Sequence, residues 1–267
     1  MAKTKTKKVR NSKLSMSTTL ILFALIPLIL SVVCISSVLV VTNTNQLKTS
    51  THNSMVTLIT QTGIAFDDTT VANEAVLKNF TNAPVVAELL KNPNDADVVA
   101  KAQAYTVEYF NNLDGWEGIY IADWDSKVLT HPAPPVVGKV MREGDRLTEL
   151  QDAMLASDGV YNVGIITSPA SGQLIMSMYA PVYDTDGTTP LGYVGAGTFV
   201  NNIAGKFADV SEMGISSAYM YYVDSTGTML YHPDESKIGN PVENEAVKGL
   251  VAKIEAGEHP TPECVEY

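Results

Sequence analysis

The sequence predicts an α+β protein with an N-terminal transmembrane helix, a long stalk helix and two tandem modules built on antiparallel sheets, the second of them incomplete. Three observations predict this: a charge-free apolar run near the N-terminus, a repeat at a constant offset, and segments of alternating hydrophobicity. The composition agrees, because 45% of the 267 residues are hydrophobic and 18% are charged. Such a balance excludes a disordered or collagen-like chain.

The first feature is a basic end followed by an apolar run. Six Lys and Arg residues lie before residue 14, although the whole chain carries a formal charge of −11. No charged residue occurs from Leu14 to Leu47, and Leu20 to Val41 is almost wholly apolar. This is about the 20 residues that a helix needs to cross a bilayer, and it is longer than the core of a cleaved signal peptide.

The charge distribution predicts the orientation. The positive-inside rule gives a cytoplasmic basic tail over residues 1–13, a transmembrane helix over residues 14–42 and an extracellular remainder over residues 43–267. That remainder is acidic and would repel a phosphate backbone, so we expect no nucleic-acid partner.

The predicted external region contains the same sequence pattern twice. The segment Tyr120–Pro132 returns as Tyr221–Pro233 at an offset of 101 without gaps. Six of 19 positions are identical, where ordinary composition would give about one. The identical pairs are Tyr120/Tyr221, Asp123/Asp224, Leu129/Leu230, His131/His232, Pro132/Pro233 and Gly138/Gly239. Each copy is therefore predicted to contain one hairpin, with a strand ending at Asp, a tight turn, and a second strand closed by the His-Pro pair.

Periodicity fills in the rest of the first copy. Apolar residues at helical spacing predict a helix that follows the hairpin, and alternating segments predict three further strands. The helix face consists of Leu147, Leu150, Met154 and Leu155, and the strands are 159–167, 174–183 and 191–200. We expect a five-stranded antiparallel sheet with helices on one face.

These patterns set the domain boundaries. Residues 43–82 form the stalk helix, residues 83–200 the membrane-distal module, residues 201–214 a linker helix, and residues 215–267 the membrane-proximal module. The second copy ends before the counterparts of the last three strands. We therefore expect the chain to be a fragment of a longer protein or the product of a truncated gene.

This arrangement resembles the double Cache, or tandem PAS-like, sensing domains of bacterial transmembrane receptors. The resemblance is carried by the two segments ending in His-Pro, by the glycines that follow them, by Ser177–Val182 and by Gly192–Gly195. It implies a small extracellular ligand in the distal module and a signal that passes through a second membrane helix to a cytoplasmic output. Among such receptors the output is most often a methyl-accepting chemotaxis hairpin, and less often a histidine kinase or a cyclic-dinucleotide enzyme.

Members that bind amino acids share an Arg-x-Trp-Tyr segment before the central helix and an Asp late in the last strand. This sequence has Leu147-Thr148-Glu149-Leu150 and Thr198 at those places. The resemblance therefore does not imply an amino acid as the ligand.

Candidate ligand contacts lie in the distal module, where aromatic residues collect beside a few polar side chains, as in small-molecule pockets. Arg142 and Arg146 either hold an organic acid through a guanidinium fork or are solvated charges offset by neighbouring acidic residues. The predicted ligand-binding residues are Trp116, Tyr120, Arg142, Arg146, Tyr161, Ser177, Tyr179 and Thr198.

The sequence contains no nucleophile-elbow, phosphate-loop or paired His-Glu motif, and its four His residues show no metal-ligand spacing. We therefore expect neither an enzyme nor a cofactor or metal site. The expected partners are a small ligand, the membrane and a second copy of the chain. Two alternatives stay open: the sensor region of a histidine kinase or cyclic-dinucleotide enzyme, and a ligand-free surface protein anchored in the membrane.

Overall fold

The computed structural model describes residues 15–206, 210 and 217–262. The predicted basic tail and most of the predicted linker beyond residue 206 lie outside these residues. The chain divides after Met55 into two compact units, which are described separately.

The first helix, α1, spans Met16–Thr81. Its apolar side chains as far as Val41 are exposed, as expected for a surface that faces lipid rather than protein. Among the described residues, α1 is the one helix long and apolar enough to cross a bilayer. The expected long apolar N-terminal helix is confirmed.

The second unit, from Val56 onward, contains the sheet. After the last turns of α1 the chain forms two helices, α2 and α3, and then a mixed series that closes with a short helix. The elements are α2 Pro84–Lys91, α3 Ala96–Asn111, β1 Trp116–Asp123, β2 Val128–Thr130, α4 Asp145–Ala156, β3 Tyr161–Thr167, β4 Leu174–Tyr183, β5 Pro190–Phe199 and α5 Val200–Lys206. The strand order is β2-β1-β5-β4-β3 with antiparallel neighbours, so the predicted five-stranded antiparallel sheet is confirmed.

Local chemistry sets the helix ends. Pro84 begins α2, where the missing N–H leaves no helical bond unmade. Asp95 caps α3 by accepting from the backbone N–H groups of Asp97 and Val98 at 3.0 and 3.2 Å.

The two faces of the sheet are both covered by helices. One face packs its apolar side chains, including Ile119, Met178 and Val194, against the end of α1, α2 and α3. The other face packs against α4 through Leu150 and Met154. The expectation of helices on one face is therefore wrong, because the alternation of strand side chains gives each face its own apolar cluster.

The helical spacing of α4 identified its buried side correctly at Leu150 and Met154, which are 4% and 0% exposed. Leu155 is 47% exposed, so its assignment to that side is wrong. It lies next to Met154 along the helix, about 100° around the axis, and points away from the sheet.

The second copy of the hairpin has the geometry of the first. It consists of β6 Tyr222–Val223 and β7 Met229–Tyr231, followed by α6 Glu245–Glu255. The N–H of Gly138 donates to Val128 O at 2.8 Å, and that of Gly239 donates to Met229 O at 2.8 Å. Both glycines have positive φ, +85° and +79°, a conformation that favours glycine.

The repeated histidines close the turns as predicted. Nδ1 of His131 accepts from the N–H of Ala133 at 2.8 Å, and Nδ1 of His232 accepts from the N–H of Asp234 at 2.9 Å. The repeat seen in the sequence is thus a repeat of hydrogen bonds.

Candidate ligand-binding site

Three tyrosines lie together on the α4 side of the sheet, which we call the tyrosine face. Tyr120 on β1, Tyr179 on β4 and Tyr193 on β5 are at most 9% exposed. Tyr193 meets Tyr120 and Tyr179 edge-on, with ring centroids 6.3 and 5.9 Å apart. Burial raises the pKa of Tyr120 well above 10, with repulsion from the other two phenols second. Burial also raises the pKa of Tyr193, so the phenols of Tyr120 and Tyr193 are neutral hydrogen-bonding groups.

Gly195 of β5 makes room for the ring of Tyr120. Gly195 pairs with Tyr120 on one side and with Tyr179 on the other. A Cβ atom on Gly195 would overlap the ring of Tyr120. The absence of a side chain at Gly195 is thus what allows the ring of Tyr120 to lie over β5.

Arg142 brings a positive charge to this face. Its Nη2 donates to the hydroxyl of Tyr179 at 2.9 Å, and its Cζ lies 5.5 Å from the centre of the Tyr179 ring. The side chain is half-buried. No carboxylate lies within ion-pair distance of Arg142 among the residues that the structure describes. A half-buried guanidinium without a counter-charge favours the binding of an anion.

Ser126 fixes the position of Arg142. Its Oγ accepts from the backbone N–H of Arg142 at 3.1 Å and lies 2.6 Å from the hydroxyl of Tyr193. Ser126 is buried and has a φ of +67°, a left-handed conformation unusual for a residue with a side chain. The corresponding residue of the second copy is Gly227, with a φ of +87°. The first copy therefore accepts backbone strain and gains a hydroxyl that joins Tyr193 to Arg142.

Five of the eight predicted residues come together here. Tyr161 pairs with Tyr179 across β3 and β4, and Ser177 lies two residues before Tyr179 on the same side of β4. Tyr120 and Arg142 complete the five on the same side of the sheet.

The other three lie elsewhere. Trp116 belongs to the cluster packed against α1, α2 and α3, and Thr198 pairs with it across β1 and β5 on that side. A bulge between Trp116 and Gly118 reverses the alternation of β1, so Trp116 faces away from Tyr120. Arg146 is exposed on α4.

Sequence reasoning missed Tyr193, Ser126 and Glu117 as residues of this face. Tyr193 could have been found from β5 itself, because it lies two residues before Gly195 and therefore on the same side of the strand. Ser126 could have been found by aligning the repeats, where a serine stands opposite a glycine in a turn. Glu117 lies at the bulge, for which the sequence has no clear signal.

The second copy presents a corresponding surface of different chemistry. A cavity of about 500 Å³ is lined by residues including Tyr221, His232 and Glu243. By the offset of 101, Glu243 stands where the first copy has Arg142. The anion-favouring charge thus belongs to the first module.

Comparison with solved structures identifies the fold. A domain of a sensory box/GGDEF family protein from Vibrio parahaemolyticus superposes with a TM-score of 0.58 at 13% identity, over 71% of this chain and 74% of that chain. The sensor domain of the V. cholerae histidine kinase DctB gives a TM-score of 0.57 at 11% identity, over 79% and 78%. The sensory domain of the Campylobacter jejuni chemoreceptor Tlp3, with isoleucine bound, gives 0.56 at 12% identity, over 78% and 81%.

The fold is that of bacterial extracellular sensory domains. At such identities the likeness concerns the fold alone. A scan against protein-family models gives no match, and a search of curated protein sequences gives none that is significant. The similar structures include domains of chemoreceptors, histidine kinases and GGDEF proteins, so the fold does not select one output.

Proposed function

We propose that this chain is the extracellular small-molecule sensing region of a transmembrane chemoreceptor, and that its distal module binds an organic acid at Arg142. The observation that carries the proposal is the half-buried guanidinium of Arg142, held at 2.9 Å by Tyr179 and without a carboxylate partner among the described residues. Aromatic walls with one fixed cation suit a small anionic ligand. The chain acts as a binding module rather than as an enzyme.

The proposal places the N-terminus in the cytoplasm and residues 43–267 outside the cell. Its support is the basic cluster before the apolar part of α1. Ligand binding would bias a two-state element that continues to a cytoplasmic signalling domain. A histidine kinase or a cyclic-dinucleotide enzyme in that place is the alternative, favoured by the similar folds of DctB and the GGDEF protein.

The test is ligand-dependent thermal stability of the full chain in lipid nanodiscs, screened against small mono- and dicarboxylates. At a concentration of 100 Kd a ligand adds about 2.7 kcal/mol, which should raise Tm by roughly 5 to 10 °C. Arg142→Gln should abolish this rise. Arg146→Gln removes the same charge from the exposed side of α4 and should keep it.

A rise that persists in Arg142→Gln would contradict the proposed site. The absence of a response to any acid in the wild-type chain would favour the second alternative, a ligand-free surface protein.

We also propose that the receptor is a homodimer through α1. Its support is a set of exposed apolar side chains on the stalk, namely Leu47, Ile59, Ile64 and Val71. Ile64→Cys in a cysteine-free background should form disulfide-linked dimers in membranes under mild oxidation. The exposed Gly63→Cys, one residue away and about 100° around the axis of α1, is the comparison for random collision.

A further inference from the structure

A second charged group lies on the tyrosine face. Glu117 is the extra residue of the bulge, since Trp116 pairs with Thr198 and Gly118 with Gly197. A Cβ atom on Gly197 would lie 3.3 Å from Oε2 of Glu117. Gly197 is two residues beyond Gly195 on β5 and therefore faces the same side of the sheet. The carboxylate of Glu117 thus lies over Gly197, as the side chain of Ile175 also does.

One oxygen of this carboxylate lacks a donor. Oε1 of Glu117 is buried, and no described residue donates a hydrogen bond to it. A buried carboxylate oxygen without a donor destabilises the folded state, because it has lost its hydrogen bonds to water and has formed none with the protein. Native proteins seldom keep such an atom unless a ligand, an ion or a water completes it.

The imidazole of His131 does not provide a cation for this carboxylate. Nε2 of His131 lies over Gly118, where a Cβ atom would be 3.2 Å away, and Gly118 is the strand partner of Gly197. Nδ1 of His131 already accepts from Ala133, and burial lowers the pKa of the imidazole below 6.5. His131 is therefore neutral at pH 7. No ion pair joins Glu117 to a cation among the described residues.

Glu117 and Arg142 can both be placed relative to the glycines of β5. Arg142 is held by Tyr179, the strand partner of Gly195, and Glu117 lies over Gly197. Two residues along a strand correspond to roughly 7 Å. The second copy has Ala218 and Tyr219 in place of Glu117 and Gly118, so this arrangement occurs in the first module alone among the described parts of the two copies.

We propose that Glu117 accepts a hydrogen bond from an ammonium or hydroxyl group of the same ligand whose acid group binds Arg142. The inference rests on the proposed function and narrows it. Glu117 makes the site select acids that carry a donor at a distance from the acid group over plain carboxylates of the same length. A plain carboxylate would leave Oε1 unpaired in the complex.

The test compares matched acids on the full chain in nanodiscs by calorimetry. The probe pairs are 4-aminobutyrate with butyrate, and 4-hydroxybutyrate with butyrate. The wild-type chain should bind the donor-bearing acid at least roughly tenfold more tightly, as expected for a hydrogen bond to a charged group. Glu117→Gln should reduce the preference for the ammonium roughly tenfold or more. Glu149→Gln, which removes the same charge from an exposed position of α4, should leave the preference unchanged.

A measurement without ligand separates a binding role from a structural one. Glu117→Gln should raise Tm of the ligand-free chain because a buried amide oxygen without a donor is less destabilising than a buried carboxylate oxygen without one. A fall in Tm together with an unchanged ligand preference would overturn the proposal.

The wild-type comparison needs no variant. If acids bind in a manner that depends on Arg142 but both members of each pair bind equally, the role of Glu117 is refuted while the proposed function stands. If the wild-type chain binds none of these acids, or others of three to six carbons with and without a donor, both are refuted.

Discussion

Ser126 shows at the scale of one residue how the first module differs from its repeat. The same left-handed turn position is Ser126 in one copy and Gly227 in the other. Glycine adopts this conformation without steric cost, whereas serine costs roughly 1 kcal/mol. The hydroxyl offsets this cost by bonding to Tyr193 and to the backbone of Arg142.

A pair of variants separates these two effects. Ser126→Ala loses the hydroxyl and keeps the strain, whereas Ser126→Gly loses the hydroxyl and relieves the strain. We expect Ser126→Gly to be more stable than Ser126→Ala by about 1 kcal/mol in chemical unfolding, and both to bind the acid ligand less tightly than the wild-type chain. Equal stability of the two variants would show that the backbone carries no strain at this position.

His131 provides a prediction about pH. Burial lowers its pKa below 6.5, against an opposing attraction from Glu117. The unfolded chain gains a proton at His131 near pH 6.5, and the folded chain gains it only at lower pH, so this contribution to stability is lost as pH falls below about 6.5.

His131→Asn removes the titration, and its Oδ1 can accept the Ala133 N–H. The fall in Tm between about pH 7.5 and about pH 5.5 should therefore be smaller in His131→Asn than in the wild-type chain. An NMR titration of the His131 ring measures the pKa directly, and a value at or above 6.5 would contradict the prediction.

At the scale of elements, β5 determines what the site can be. It runs between β1 and β4, with Gly195 and Gly197 on the side of the tyrosines and with Val194 and Ala196 packed into the core on the other side. A single added methyl group tests this directly.

Gly195→Ala would place a Cβ atom against the ring of Tyr120, with strand backbone on both sides. We expect a loss of about 1 to 3 kcal/mol in the free energy of unfolding, together with weaker ligand binding. Gly63→Ala on the exposed side of α1, where nothing lies within 4 Å, should instead stabilise the chain by about 0.5 to 1 kcal/mol. A neutral Gly195→Ala would mean that the ring is free to move aside.

The sequence allowed most elements to be predicted, because period and turn chemistry are local. Alternation in β4 placed Ser177 and Tyr179 on one side and Met176 and Met178 on the other. Alternation alone puts Trp116 on the side of Tyr120, but a bulge shifts the register of β1 and turns Trp116 to the other side. A bulge depends on the partner strand rather than on the local pattern. The prediction that all helices lie on one face of the sheet was wrong for a similar reason. Periodicity identifies the buried side of α4 but not the sheet face that this side meets.

At the scale of the whole molecule, the apolar part of α1 makes the proposed topology testable. In a chain with Cys34 and Cys264 replaced by Ser, a membrane-impermeant maleimide added to intact cells should label Ser54→Cys and should not label Ser12→Cys. Lysed cells, in which both sites are accessible, provide the control. Labelling of Ser12→Cys in intact cells would invert the proposed orientation.

The paired turns have a consequence for recognising distant proteins. The segments that start at positions 123 and 224 share an Asp, a Leu, a His-Pro pair and a Gly at identical spacing. They form the signature D-x5-L-x-H-P-x5-G, whose His and Gly each make the same turn bond twice. Most positions differ between the two copies, and such positions dominate a comparison of whole sequences. A search for two spaced occurrences of this short signature would instead detect the backbone geometry itself, in chains too divergent to align.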